Sequence, residues 1–65
     1  MQISLNGQDR EVAEGATVSQ LLGELEVAGP LAVEINRQVC PKRLHNEKTL
    51  QAGDVLEIVT IVGGG

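Results

Sequence analysis

Only one stretch of this sequence repeats its apolar residues at the spacing of an α-helix. These residues follow one another at i, i+3, i+4 and i+7, and they are Val18, Leu21, Leu22 and Leu25. Thr17 precedes them, and Gln20 completes a Thr-x-x-Gln capping box, in which each side chain bonds the other residue's backbone amide. Gly29 and Pro30 predict the end of the helix, since glycine favours the left-handed position after a helix and proline cannot continue one. The fold must therefore be built around a single helix.

Alternating apolar and polar residues predict strands on both sides of this helix. Residues 1–5 and 8–13 flank Asn6-Gly7, a pair that favours the two-residue turn of a β-hairpin because both positions need positive φ. The helix is followed by further predicted strands at residues 31–35, 39–40 and 55–62. The chain order is therefore hairpin, helix, strand, short strand and long strand.

The last predicted strand is the most apolar, which places it at the centre of the sheet and predicts that both of its faces are covered, at least for part of its length. A crossover through the helix would make it parallel to the first strand. These features predict an α+β fold of the β-grasp, or ubiquitin-like, type, with a mixed sheet of four to five strands covered by one main helix. A ferredoxin-like fold is the alternative, but it needs a second helix. The domain is predicted to span residues 1–62, and residues 63–65 are predicted to form a flexible glycine tail.

The composition limits how such a small domain is held together. With 65 residues the chain allows one domain, and its core must be aliphatic because the sequence has no Phe, Tyr or Trp. The single cysteine, Cys40, has no disulfide partner within the chain. Cys40 and His45 are the only soft metal ligands, too few for a zinc site, so no metal is predicted.

The composition also argues against several classes of partner. A chain without aromatic rings cannot stack the bases of single-stranded nucleic acid, and a net charge of −4 disfavours any phosphate backbone. No apolar run approaches the roughly 18 residues of a membrane span, so no membrane association is expected. A free thiol without an export signal fits the reducing cytoplasm. We therefore expect a cytoplasmic protein that binds neither nucleic acid nor membrane.

No side chain is predicted to be catalytic. A Cys40–His45 dyad would need an orienting third group and an oxyanion hole, and the sequence offers neither. We therefore interpret Cys40 as a small buried residue and His45 as a loop residue. Glu24 and Glu26 cannot act as a carboxylate pair, because residues at i and i+2 of a helix point apart.

The chemistry is predicted to lie at the C-terminus, where Gly63, Gly64 and Gly65 follow directly on the most apolar strand. Three glycines extend at most about 10 Å and, having no side chains, fit a narrow tunnel in a partner protein. The terminal carboxylate of Gly65 is ionised at neutral pH and becomes reactive only when activated, for example as an acyl adenylate. Leu44, Ile61 and Val62 are predicted to lie near the tail as an apolar docking surface.

The whole chain resembles the ThiS family, the sulfur carriers of thiamin biosynthesis within the ubiquitin-like β-grasp group. The matching stretches are residues 3–6, 15–18, 21–22, 33–36, 39–42, 50–54 and 59–65. They keep the family's order and spacing, and they end in its terminal di-glycine, onto which Gly64 and Gly65 carry over.

The resemblance implies a route for sulfur. A ThiF-like enzyme would adenylate the carboxylate of Gly65 with ATP and magnesium, both bound by that enzyme and not by this chain. A persulfide donor would convert the adenylate to a thiocarboxylate, and a ThiG-like thiazole synthase would take the sulfur. The chain would thus be a carrier and not an enzyme, with no cofactor of its own.

Two other readings remain open. The small subunit of molybdopterin synthase, or another ubiquitin-like sulfur carrier, would share the fold and the tail. A purely non-covalent ubiquitin-like interaction module would share the fold but would tolerate loss of its last two residues.

Overall fold

The computed structural model describes residues 1–27 and 29–61. Within them it has one α-helix, five β-strands and a short 3-10 helix. The strands are β1 (Gln2–Leu5), β2 (Gln8–Glu11), β3 (Leu31–Ile35), β4 (Gln38–Cys40) and β5 (Val55–Thr60). The helix α1 spans Val18–Leu25, and the 3-10 helix spans Lys42–Leu44.

The strands form one mixed sheet in the order β2-β1-β5-β3-β4. Strand β5 lies at the centre, parallel to β1 and antiparallel to β3, while β2 and β4 form the two edges. The prediction of a central, parallel last strand is therefore confirmed. With one helix packed on this sheet, the described residues form the predicted β-grasp and not the ferredoxin-like alternative.

Two asparagine turns hold the central strand in place. Asn6 and Asn36 both have positive φ, 49° and 52°, as two-residue hairpin turns require. The amide oxygen of Asn6 accepts a hydrogen bond from the Ile58 N–H at 2.9 Å, and that of Asn36 accepts one from the Val55 N–H at 2.9 Å. The Asn36 amide nitrogen also donates to the buried carboxylate of Asp54 at 3.1 Å. Each asparagine thus adopts the backbone conformation that its turn requires, and its side chain also hydrogen-bonds the backbone of β5.

The helix begins at the predicted capping box. The Gln20 N–H donates to the Thr17 hydroxyl at 3.2 Å, and the Thr17 N–H donates to the Gln20 side chain at 2.9 Å. The other free amides of the first turn bond the loop that follows β4: Val18 donates to the Lys48 carbonyl at 3.0 Å and Ser19 to the His45 carbonyl at 2.9 Å. The backbone N–H groups at the start of the helix are therefore bonded partly within the capping box and partly by a loop that is distant in sequence.

The helix ends earlier than the sequence predicts. Glu26, not Gly29, is its left-handed cap, with φ 57° and ψ 30°, and its N–H donates to the Gly23 carbonyl at 3.2 Å. Gly29 also has positive φ, but it lies in the connection to β3. Gly23 weakens the last turn by about 1 kcal/mol relative to alanine, which favours termination there.

Replacing Thr17 with alanine is expected to lower the free energy of unfolding by about 1 kcal/mol, because the Gln20 amide loses its capping acceptor. Urea denaturation followed by circular dichroism measures the change. Thr17→Ser keeps the hydroxyl and serves as the matched control. An alanine variant as stable as the serine variant would show that the cap contributes nothing.

One face of the sheet carries the core. Its fully buried centre consists of Ile3, Val18, Leu21, Val33 and Leu56. Leu56 on β5 is completely buried, whereas Val55 and Val59 on the other face of the same strand are 48% and 59% exposed. The prediction that the central strand is covered on both faces is therefore wrong, because the single helix covers one face only. Among the described residues, no helix is long and apolar enough to cross a membrane.

Candidate functional site

The group that is predicted to react is the carboxylate of Gly65, which comes after Ile61, the last described residue. Outside the described residues are Val62, Gly63, Gly64 and Gly65. The predicted boundary between the domain and the tail falls among them. Ile61 itself is held to the sheet, since its N–H donates to the Pro30 carbonyl at 2.8 Å. The preceding residue, Thr60, is paired with Leu31 in the sheet.

This anchoring fixes the point from which the rest of the chain continues, because β5 has neighbours on both sides and Ile61 is bonded to Pro30. Four residues follow Ile61, and four residues span at most about 14 Å.

Ile61 borders a cleft of the described residues with a volume of about 640 Å³. The walls are mostly apolar, with one cation and one imidazole, and consist of Leu22, Val27, Gly29, Pro30, Leu31, Lys42, His45 and Ile61. With 53% of its surface exposed, Ile61 is available to a partner.

The other described residue of the predicted docking surface lies elsewhere. Leu44 is half-buried and packs against the core, and it lines a smaller cleft of about 250 Å³ with Val39 and Lys48. Ile61 is not among the residues lining that smaller cleft. The docking role of Leu44, Ile61 and Val62 stays a prediction.

Cys40 and His45 do not form a nucleophile and base. Both side chains are buried, and the His45 ring nitrogen Nε2 lies 3.0 Å from the Cys40 carbonyl oxygen and not against the thiol. The thiol's nearest hydrogen-bond partner is the Pro41 carbonyl, at 4.0 Å. The interpretation of Cys40 as a small buried residue is confirmed, and the imidazole instead ties the 3-10 segment to the end of β4. Among residues 1–27 and 29–61, no group of three or more His, Cys, Asp or Glu could hold a metal ion.

Sequence reasoning missed the burial of His45. This residue sits in a segment of charged and polar residues, which gives no periodic signal for an inward side chain. Its burial follows from the tertiary fold, because its carbonyl accepts the Ser19 amide at the start of the helix. Reasoning from the sequence also missed the exposure of Val39, Val55 and Val59 on the uncovered face of the sheet.

Comparisons with known proteins agree with this architecture. The ThiS family model matches residues 3–65. The sulfur carrier protein ThiS of Escherichia coli is 36% identical over 67 residues, and the alignment covers all of both chains. The crystal structure of the thiamine biosynthesis protein ThiS from Geobacter metallireducens superposes with a TM-score of 0.86 at 33% identity, again over the full length of both chains.

A second kind of relative is much longer than this chain. A thiazole synthase of Paramagnetospirillum magneticum is 41% identical over 66 residues, and the alignment covers all of this chain. The chain spans only about a fifth (20%) of the length of that relative. Fold, length and sequence agree with the smaller relatives over the whole chain, and the chain therefore belongs to the ThiS family.

Proposed function

We propose that this chain is a sulfur carrier of thiamin biosynthesis that acts in the cytoplasm and holds sulfur as a thiocarboxylate on Gly65. The observation that carries the proposal is the full-length match to a sulfur carrier protein of the same family. The described residues support it in a second way. They form a folded domain whose central strand ends at Thr60, and in the sequence Ile61 and Val62 are followed by three glycines.

The proposed chemistry activates the terminal carboxylate first. An oxygen of the Gly65 carboxylate attacks the α-phosphate of ATP, which forms an acyl adenylate and releases pyrophosphate. The terminal sulfur of a persulfide then attacks the acyl carbon and displaces AMP. A thiol cleaves the resulting acyl disulfide at its S–S bond, which leaves the thiocarboxylate on Gly65 and a new disulfide on the donor side. ATP and magnesium belong to a ThiF-like adenylating partner in this scheme.

The proposed acceptor of the sulfur is a ThiG-like thiazole synthase. Two relatives named thiazole synthase, from Paramagnetospirillum magneticum and Magnetococcus marinus, contain a segment similar to this whole chain within a polypeptide about five times as long. Two units joined in one polypeptide stay at high effective concentration, which is useful when they react with each other. This arrangement supports a reaction between this chain and a thiazole synthase.

Genetic complementation tests the proposal. The chain should restore growth without thiazole to a bacterium that lacks its own ThiS. It should not restore molybdenum-cofactor synthesis to a strain that lacks the small subunit of molybdopterin synthase. Rescue of the second strain alone would favour the molybdopterin alternative. Rescue of the first strain by a chain without its last two residues would favour a non-covalent module.

A further inference from the structure

Positive charge is concentrated in one short stretch of this acidic chain. Of its five Lys and Arg residues, all except Arg10 lie between residues 37 and 48, and the same stretch holds only one of the nine acidic residues. The net charge of −4 is therefore distributed very unevenly. Three of these cations, all exposed, are grouped around the 3-10 helix, and we call them the basic ridge: Lys42, Arg43 and Lys48.

Hydrogen bonds hold the backbone of the basic ridge. The 3-10 helix carries Lys42 and Arg43, and the Lys48 N–H donates back to the Leu44 carbonyl at 2.8 Å. The Lys48 carbonyl accepts the Val18 N–H at the start of α1, at 3.0 Å. The ridge therefore packs against the start of the helix and is separate from the face of the sheet that the helix leaves uncovered. Its backbone is ordered before any partner binds, which lowers the entropy cost of binding.

The cations of the ridge have no carboxylate partner in the part of the chain that the structure describes. The two ion pairs there are Met1 with Glu11 and Arg10 with Glu24. Exposed ammonium and guanidinium groups without an internal partner can pair with carboxylates of another protein. Such charge-assisted hydrogen bonds are stronger than those between neutral groups.

Apolar walls flank the ridge on both sides. Lys42 lines the cleft of about 640 Å³ that Ile61 borders, and Lys48 lines the smaller cleft with Leu44. Cations beside apolar clefts suit a protein partner better than a nucleic acid, since the chain has no aromatic ring to stack on bases. A second copy of the chain is disfavoured, because two chains of net charge −4 repel each other.

The charge of the proposed adenylating partner favours an approach with the basic ridge in front. That enzyme would hold ATP, whose phosphates are anionic, and a carrier of net charge −4 is repelled by an anionic site in most orientations. An approach with the ridge leading replaces this repulsion by attraction. It also brings Ile61 toward the enzyme, and Gly65 is only the fourth residue after Ile61.

We propose that the basic ridge docks against an acidic surface of the ThiF-like adenylating enzyme, with Lys42 and Arg43 paired to carboxylates of that enzyme. This inference rests on the proposed function for the identity of the partner. The cations bind and orient the carrier and take no part in the reaction with ATP. Their loss therefore raises the carrier concentration that the enzyme needs and leaves its maximal rate unchanged.

Pyrophosphate exchange by the purified ThiF-like enzyme, measured over a range of carrier concentrations, tests the inference. The variant K42Q/R43Q should raise KM for the carrier by about tenfold and leave kcat within about twofold. This difference should disappear at about 1 M salt, where screening is strong. K42R/R43K keeps both charges and should keep KM within about threefold of the wild type.

The matched control is Q8E/A13E, which lowers the net charge by the same amount at exposed positions outside the ridge. Gln8 lies on β2, at the edge of the sheet opposite β4. This variant should keep KM within about twofold of the wild type. K42Q/R43Q should unfold at the same urea concentration as the wild type, because both substituted side chains are exposed, so its higher KM would not be a folding defect.

Equal KM values for K42Q/R43Q and Q8E/A13E would overturn the inference, and so would a loss of kcat without a change in KM. Self-association of the wild type that K42Q/R43Q abolishes would assign the ridge to a second copy of the chain and would also overturn it. Each of these results leaves adenylation of the wild type intact. None of them would contradict the carrier role, which the complementation experiment tests separately.

Discussion

Deletion of Gly65 is expected to abolish adenylate formation while leaving the fold intact. The shortened chain still ends in two glycines, so the variant tests the reach of the tail and not its composition. Loss of one residue withdraws the carboxylate by about 3.5 Å, and a displacement of even 1 Å can cost about a hundredfold in rate. Pyrophosphate exchange catalysed by the ThiF-like enzyme measures the step directly.

Gly63→Ala is the matched control for this deletion. It keeps the length of the tail and the terminal di-glycine, so it should retain exchange activity. Circular dichroism should give superimposable spectra for all three proteins, because the buried core of the described residues lies between Ile3 and Leu56. Exchange at the wild-type rate in the shortened chain would contradict a tail of defined reach.

Replacing Leu56 with alanine is expected to remove most of the stability of the domain. Leu56 is completely buried on the central strand, where it is paired with Leu5 on one side and with Ile35 on the other. Truncation of a buried leucine costs about 2–5 kcal/mol, and a core of this size rarely supplies more than about 3–5 kcal/mol. Urea denaturation should therefore show a variant that is largely unfolded or close to its midpoint without denaturant.

Val59→Ala on the same strand is the control for that substitution. Val59 lies on the face of the sheet that the helix leaves uncovered and is 59% exposed, so its truncation leaves no cavity and should cost less than about 1 kcal/mol. Similar losses at positions 56 and 59 would mean that the two faces of β5 are packed alike. That result would contradict the one-sided core.

Local signals explain why much of this fold could be predicted. The Asn6-Gly7 turn and the Thr17–Gln20 capping box are formed by residues close together in sequence, and both occur where expected. The central position of β5 followed from its apolarity, because one helix and one hairpin leave few arrangements that bury it. The prediction that the glycine tail is the reactive site rests on the sequence alone, since the tail lies outside the described residues.

Long-range contacts and backbone strain explain what could not be predicted. Gly29-Pro30 is the strongest stop signal near the helix, yet the chain leaves the helix at Glu26, a residue type that seldom adopts positive φ. His45 is buried because the loop folds back on the helix start, which no local pattern encodes. The valines of β5 suggested a strand covered on both faces. They lie instead on the face of the sheet that the helix leaves uncovered.

The central claim is that the carboxylate of Gly65 carries sulfur. Intact-mass measurement of the native protein, purified from cells starved of thiamin, tests it most directly. The claim predicts a species heavier than the encoded chain by the difference in mass between one sulfur atom and one oxygen atom. In a C-terminal fragment, the change should be confined to Gly65. A protein that shows only the encoded mass under those conditions, with active ThiF-like enzyme and sulfur donor present, would contradict it.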